Sequence, residues 1–329
     1  SLKNNMKKLY QFLFLLLSFA ANAQIVNIPN ANFKAKLLAA YSSNQIASSE
    51  TPISNAANMS WNFSSYNAID TNGDGQIQVL EAQAIKFLNV ESFSISNLTG
   101  LEAFTNLKVL VCNNNPLLSL NVSSLANLEY LECVNNQLTS LNVSGLTNLR
   151  ILRCGVNQLS SLNVSSLANL KELSCYNNQL PSLNVSGLTY LLNLICGENQ
   201  LSSLNVSSLS NLEILSCDEN LFSNLNVSSL SNLGYLSCGG NQLTSLNVSN
   251  LTNLTELHCA LNSLTSINFI GCTSLKDLFC EGNQLTSLNV SSLSNLEVLS
   301  CGENPLPSLN VLSLTNLEYL YCNNNQLSS

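Results

Sequence analysis

The sequence predicts an α/β-type solenoid: a stack of short coils, each giving one short parallel strand to a shared concave face, with an irregular convex side and a small helical cap at the amino end. Three observations predict it. Cysteines at 112, 133, 154, 175, 196, 217, 238, 259, 280, 301 and 322 are all 21 residues apart, and a fixed period of roughly 20–50 residues marks a solenoid. Leucine, asparagine and valine recur at fixed offsets from each cysteine. Finally, only 9% of the 329 residues are charged while 45% are apolar, a composition unlike that of charge-rich, apolar-poor disordered chains. A single long apolar run excludes a polytopic membrane protein. The net charge of −8 argues against nucleic acid, whose phosphates require clustered Lys and Arg.

One unit reads Leu128-Glu-Tyr-Leu131-Glu-Cys133-Val-Asn-Asn136-Gln-Leu138-Thr-Ser-Leu141-Asn-Val143-Ser-Gly-Leu146-Thr-Asn148. Leu131 and Cys133 are two apart, so both point inward from one strand. Leu138, Leu141, Val143 and Leu146 fill the rest of the coil interior. A single coil cannot bury these side chains; stacked coils share a continuous core. Asn136 and its equivalents stand where the strand turns, and a buried amide there pairs with free backbone groups as one rung of an asparagine ladder.

The pattern L-x-x-L-x-C-x-x-N-x-L resembles the leucine-rich repeat core, with Cys in place of one Leu. The resemblance covers residues 98–329, eleven 21-residue units. With the recurring Asn-Gln-Leu-x-Ser-Leu-Asn-Val-Ser tail, the repeat is similar to secreted, internalin-like leucine-rich repeat proteins of the Bacteroidetes. That resemblance implies a right-handed, curved solenoid with a parallel sheet on its concave side.

Twelve cysteines in an exported chain ordinarily suggest disulfides. Here neighbouring thiols would lie side by side about 4.8 Å apart, whereas a disulfide needs Cβ atoms about 3.8 Å apart on converging vectors. The expectation is a column of reduced, buried thiols acting as small apolar residues. Cys272, the one out of phase, falls in a leucine column and reads as core.

Residues 1–23 read as a signal peptide, with Ser1 to Asn5 as an upstream extension before Met6. Lys7 and Lys8 precede an apolar stretch from Leu9 to Ala20, and Ala21-Asn22-Ala23 is a cleavage site of A-x-A type. The run is too short to span a bilayer. The chain is therefore expected to be exported, extracellular or on the outer cell surface, with no transmembrane segment.

Residues 24–97 carry no repeat and read as the amino-terminal cap. Asn30 caps an expected helix over about 31–41, with Phe33, Leu37, Leu38 and Tyr41 on one face. Residues 42–67 read as irregular. Residues 70–81 run Asp-Thr-Asn-Gly-Asp-Gly-Gln-Ile-Gln-Val-Leu-Glu, which matches the twelve-residue EF-hand loop. Asp70, Asn72 and Asp74 supply side-chain oxygens, and Gly75 the sharp turn. Gln76 supplies its carbonyl, Gln78 an oxygen directly or through water, and Glu81 a bidentate carboxylate. This donor set suits structural Ca²⁺. An exit helix over about 78–89 is expected to turn Leu80, Ala84, Ile85 and Leu88 to a core. The segment entering the loop is a poor helix former and no second loop follows, so a paired EF-hand is excluded.

The coil interior barely varies from unit to unit, while the outward strand positions vary freely. One column runs Val111, Glu132, Arg153, Ser174, Ile195, Ser216, Ser237, His258, Phe279, Ser300, Tyr321. Extended solenoid faces of this kind bind partners. Candidate partner-binding residues are Tyr130, Arg153, Tyr176, Ile195, Tyr235, His258, Asp277, Phe279, Tyr319 and Tyr321. Ser237, His258 and Asp277 form a tempting trio on successive coils. They lack an oxyanion hole and a water-excluding pocket, so no catalytic residue is assigned.

The expectation is a binding module, not an enzyme, recognising a protein or glycan through the concave face, its cap held by Ca²⁺ and the chain monomeric when capped. The alternative is a rigid spacer, or a targeting module for a carboxy-terminal domain, possibly catalytic, beyond residue 329. The repeat breaks off mid-coil at Ser329, which reads as a truncated end.

Overall fold

The structure, a computed structural model, describes residues 24–50, 53–55, 60–62 and 65–328, with 53–55 and 60–62 described by backbone alone. The export segment expected over 1–23 lies outside the described residues. Contacts divide the chain into two compact units, one ending at Gln137 and the other beginning at Leu138. Both are built from parallel-strand solenoid coils.

The first unit holds helix α1 (Ala31–Leu38), helix α2 (Val79–Ala84), a single 3-10 turn at Leu101–Ala103 and strands β1 (Ala47–Ser48), β2 (Ile53–Asn55), β3 (Ser60–Asn62), β4 (Phe87–Asn89), β5 (Val109–Val111) and β6 (Tyr130–Glu132). Strands β4, β5 and β6 run parallel in register, Leu88 beside Leu110 and Leu110 beside Leu131. β1 pairs antiparallel to β4 and closes that edge.

The Asn30 side chain accepts from the Phe33 N–H at 2.9 Å, as its capping position predicts. The helix is shorter than the sequence suggested, however. It ends at Leu38, and Tyr41 is 54% exposed, off the buried face formed by Phe33 and Leu37. Residues 42–67 are not irregular throughout: they contain β1 and the antiparallel β2–β3 hairpin. The exit helix is also shorter, because the chain leaves it at Ile85 to make β4. Ala82 rather than Leu80 or Ala84 then faces the core: Leu80 is 52% exposed and Ala84 is exposed, while Ile85 and Leu88 are buried as expected.

β4 belongs to a degenerate first coil hidden within the expected cap. Val90 stands fully buried in the column that cysteine fills elsewhere, and the Asn115 amide donates to its carbonyl at 2.9 Å.

The second unit repeats the same coil. Its main sheet comprises β7 (Ile151–Arg153), β8 (Glu172–Ser174), β9 (Asn193–Ile195), β10 (Ile214–Ser216) and β11 (Tyr235–Ser237), then β13 (Glu256–His258), β15 (Asp277–Phe279), β16 (Val298–Ser300) and β17 (Tyr319–Tyr321), all parallel. The back of the coils, expected to be irregular, carries a second small parallel sheet of β12 (Ser245–Asn247) and β14 (Ser266–Asn268).

Strand alternation sends the middle leucine of each strand inward. Leu194, Leu215, Leu236 and Leu257 are fully buried, each contributing about 1.5–3 kcal/mol by leaving water. All twelve cysteines are free, and eleven are buried. Burial pushes the Cys175 thiol up from 9.0 to about 12 and holds that of Cys196 well above 9.0. Cys272 is core as expected, its thiol donating to the Val248 carbonyl at 2.9 Å.

The abundance of asparagine has a division of labour behind it. In one coil, Asn199 is buried and pairs with backbone at the turn. Asn205 accepts the Ser207 N–H at 3.1 Å and fixes a local turn. Asn211 donates to the Thr189 carbonyl of the coil before, at 2.8 Å. The backbone groups that a three-residue strand leaves unpaired are thus taken up by side-chain amides.

Candidate functional site

Two sites were expected, the acidic loop in the first unit and the strand face. In the loop, the chain doubles back because Gly73 and Gly75 adopt φ of 71° and 78°, a region that glycine enters at little cost. Asp70 organises the turn: its Oδ1 accepts the Gly73 N–H at 2.8 Å and its Oδ2 the Gly75 N–H at 2.9 Å. Asn72 Oδ1 accepts the Asp74 N–H, and Asp74 Oδ1 accepts the Gln76 N–H.

Glu81 closes the loop from α2. Its Oε1 accepts from the Thr71 N–H and hydroxyl, both at 2.7 Å, and its Oε2 accepts the Gln78 N–H at 2.9 Å. Asp74 Oδ2 receives two side-chain amides, Gln78 at 2.8 Å and Asn72 at 3.1 Å. Positive amide edges therefore converge on a carboxylate oxygen inside the loop. Turning either amide over would present its oxygen instead, so the donor set is chemically suited to a hard cation. Among the described residues, no cluster of three or more His, Cys, Asp or Glu side chains is gathered as a metal site. A cation here would draw on amide and carbonyl oxygens as well as carboxylates.

The loop is also held from outside. The Val26 N–H donates to the Ile77 carbonyl at 2.8 Å, and the Val79 N–H to the Gln24 carbonyl at 2.9 Å. This short bridge engages the loop's exit strand, the edge that a second loop would use in a paired motif. Nothing in the loop's own residues predicts it, because the partner lies more than fifty residues earlier. Lys34 Nζ reaches the Gln76 side-chain oxygen at 2.8 Å, so Gln76 has only its backbone carbonyl free for the expected role.

On the strand face, outward residues project in two columns set by the register. Tyr130, expected to be exposed, is only 3% exposed. It lies in the first unit with its hydroxyl bonded to the Glu132 carboxylate, and this buried ring offers little contact area.

In the second unit, Arg153 is committed to a neighbour. Its Nε lies 2.6 Å from Glu172 Oε1, and Glu172 is buried. Tyr176 lies flat against Gly155: a Cβ built there would meet its ring at 2.3 Å. Ile195 is half-buried. Tyr319 and Tyr321 are 54% and 53% exposed.

Tyr235, His258 and Phe279 come together. Ring centroids of Tyr235 and His258 are 5.5 Å apart, and His258 stacks on Phe279 at 4.4 Å with planes 17° apart. Asp277 stands beside this stack, in register with Glu256. The Ser237–His258–Asp277 trio does not assemble for catalysis. Ser237 and His258 are register partners, but the Ser237 hydroxyl donates to Asp218, and His258 Nε2 lies 2.7 Å from Glu256 Oε1. Asp218 and Glu256, legible in the sequence only as acidic residues of this face, are the polar partners. Asp218 occupies a column where the neighbouring coils carry Gly197 and Gly239, which is the signal that marked it.

No protein-family model and no curated protein matches the chain. Solved structures do. The functional domain of InlJ from Listeria monocytogenes, which includes a cysteine ladder, is 26% identical over 93% of this chain and 72% of that one, with a TM-score of 0.63. An internalin from the same organism, inlF, is 22% identical over 92% and 91%, with a TM-score of 0.69. The leucine-rich repeat of FLRT2, solved in an octameric complex with Latrophilin 3 and Unc5D, is 23% identical over 69% and 78%, with a TM-score of 0.57. The chain thus has the leucine-rich repeat solenoid fold, with internalin-type bacterial proteins among its structural neighbours. No helix among the described residues is long and apolar enough to cross a membrane.

Proposed function

We propose that the chain is an exported or cell-surface binding module that recognises a protein partner through the open face of its parallel sheet. The carrying observation is the contrast between a coil interior held nearly constant and a half-exposed strand face that brings Tyr235, His258 and Phe279 into one stack. Aromatic clusters on an exposed surface supply much of the energy of protein recognition. The FLRT2 repeat, similar in fold, takes part in a protein complex, which supports a protein over a glycan as the first partner to seek. The amino-terminal loop serves this module as a structural Ca²⁺ site. Asp70, Asn72, Asp74, Gln78 and Glu81 supply side-chain oxygens and Gln76 its carbonyl, and the bound ion would neutralise the carboxylates and fix the loop against α2.

The test is site-specific photo-crosslinking. A photoreactive residue at Ile195 or Phe279 captures a partner from a panel of purified extracellular proteins and surface glycans, while one at Ser228, on the exposed back of a coil, captures nothing. Capture from Ser228 alone would instead favour a spacer whose back surface is engaged.

A further inference from the structure

Residues 24–32 touch the acidic loop at one end and the first coil at the other. The loop end is the short bridge in which Ile25 stands opposite Gln78. Its two bonds are Val26 N–H to the Ile77 carbonyl and Val79 N–H to the Gln24 carbonyl. The chain then passes over Gly100. A Cβ built on Gly100 would stand 2.7 Å from Ile28 Cγ1, 2.9 Å from the Asn27 carbonyl oxygen and 3.3 Å from Val26 Cγ1, and its φ is 105°. Close approach and positive φ both demand glycine there. Farther on, Asn30 Nδ2 donates to Ser96 Oγ at 3.1 Å and Asn32 Nδ2 to the Ser94 carbonyl at 2.8 Å.

The coil end of this path is a turn that needs holding. Ser92 and Ser94 take φ of 56° and 53°, a region that serine keeps only where its surroundings enforce it. The loop end rests on residues 77–79, which the loop itself positions. Gln76 and Gln78, both expected ion donors, flank Ile77, and Glu81 Oε2 accepts the Gln78 N–H at 2.9 Å. Asp70, Asp74 and Glu81 crowd three negative charges into these twelve residues.

We propose that residues 24–32 are an ion-dependent clasp: Ca²⁺ in the 70–81 loop fixes the 77–79 strand, and that strand holds the clasp down on the first coil. The proposal rests on the structural Ca²⁺ reading above and says what the ion controls. Without the ion, repulsion among the three carboxylates loosens 77–79, and the clasp loses the edge it pairs with. Ion and clasp stabilise each other by the same factor in both directions.

Val79 lets the link be cut without touching an ion donor. It is the first residue of α2, where proline is favoured, and Gln78 before it has φ −84° and ψ 156°, a conformation that a following proline accepts. Val79→Pro removes the N–H that reaches Gln24 and keeps the bond between Glu81 and Gln78. Val79→Ala keeps the N–H and controls for the lost side chain. Hydrogen–deuterium exchange of the full chain is compared in saturating CaCl₂ and in chelator, with calorimetric titration of CaCl₂ into the same three proteins.

In the parent and in Val79→Ala, Ca²⁺ should slow exchange about tenfold over 70–81 and also over 24–32 and 94–104. Val79→Pro should still bind the ion, roughly three- to tenfold more weakly for the loss of one hydrogen bond. Its response over 24–32 and 94–104 should fall below about threefold while that over 70–81 persists. Slowing confined to 70–81 in the parent, or a distant response that survives Val79→Pro, would overturn the clasp and leave the ion site standing. No heat of binding and no change over 70–81 would overturn the ion site and the clasp together.

Discussion

The side-chain amide of Asn199 donates to the carbonyl of Cys175, 3.1 Å away and one coil earlier. The same amide reaches the carbonyls of Cys196 and Gly197, while its oxygen accepts the Leu180 N–H. One buried side chain thus ties a turn to the coil before it. Asn199→Ala would strand several backbone groups in a dry interior, and each costs about 1–3 kcal/mol. We expect a loss of about 3 kcal/mol in urea denaturation. Asn205→Ala, in the exposed turn of the same coil, should cost under about 1 kcal/mol.

The buried thiols make stability depend on pH in a defined direction. Their folded values are raised, Cys175 and Cys301 from 9.0 to about 12 and Cys196 well above 9.0, chiefly by burial. Above pH 9 the unfolded chain gives up thiol protons that the folded chain retains, so the stabilisation is full below 9 and is lost as pH climbs toward 12. The urea midpoint should be flat from pH 7 to 8 and fall steeply above 9. Thiol reagents at pH 8 should leave the eleven buried cysteines untouched until the chain is unfolded.

Val156 takes φ of 52°, as Asn135 and Asn177 do at the equivalent place in other coils. Asparagine tolerates this region; a β-branched side chain does not. The strain is worth about 1 kcal/mol. Val156→Asn should therefore raise stability by about that amount, measured as a shift in urea midpoint without a change in slope.

The period was readable because Leu194, Cys196, Asn199 and Leu201 each do one repeated job, and any slip would expose the core. What escaped reading was decided by distant contacts. The coil containing Val90 lies 22 residues before Cys112 and lacks the cysteine, so it broke the count. Tyr130 shares its column with the half-exposed Tyr235, yet its hydroxyl is tied to Glu132 and its ring is buried. Leu80 fits a helical face that ends a turn early. The ring stack was half legible: the columns place His258 beside Phe279, but the pairing of Ser237 with Asp218 depends on side-chain reach across coils.

Calcium should stabilise the first unit. For a site of roughly 10⁻⁴–10⁻³ M affinity, 10 mM Ca²⁺ adds about 1–3 kcal/mol. Thermal melting in 10 mM CaCl₂ should exceed that in chelator, and Glu81→Gln should abolish the difference. Identical melts for the parent chain would remove the ion from the account.

Arg153 answers the buried Glu172 at 2.6 Å. Arg153→Ala would leave that carboxylate buried and short of its partner, a change that costs about 3–5 kcal/mol. The double variant Arg153→Ala, Glu172→Ala should recover part of the loss. A denaturation cycle over the four proteins measures the coupling, and additive effects would contradict it.

The central claim is that the open strand face is the binding surface. The most direct measurement compares two doubly substituted chains for affinity toward the crosslinked partner. One carries Ile195→Glu and Tyr235→Ser on the face; the other carries Ser207→Glu and Ser228→Glu on the exposed back. The account predicts that the first loses binding by a hundredfold or more, about 3 kcal/mol, with its melting temperature near that of the parent, and that the second binds as the parent does. Undiminished binding by the first, or loss confined to the second, would contradict it.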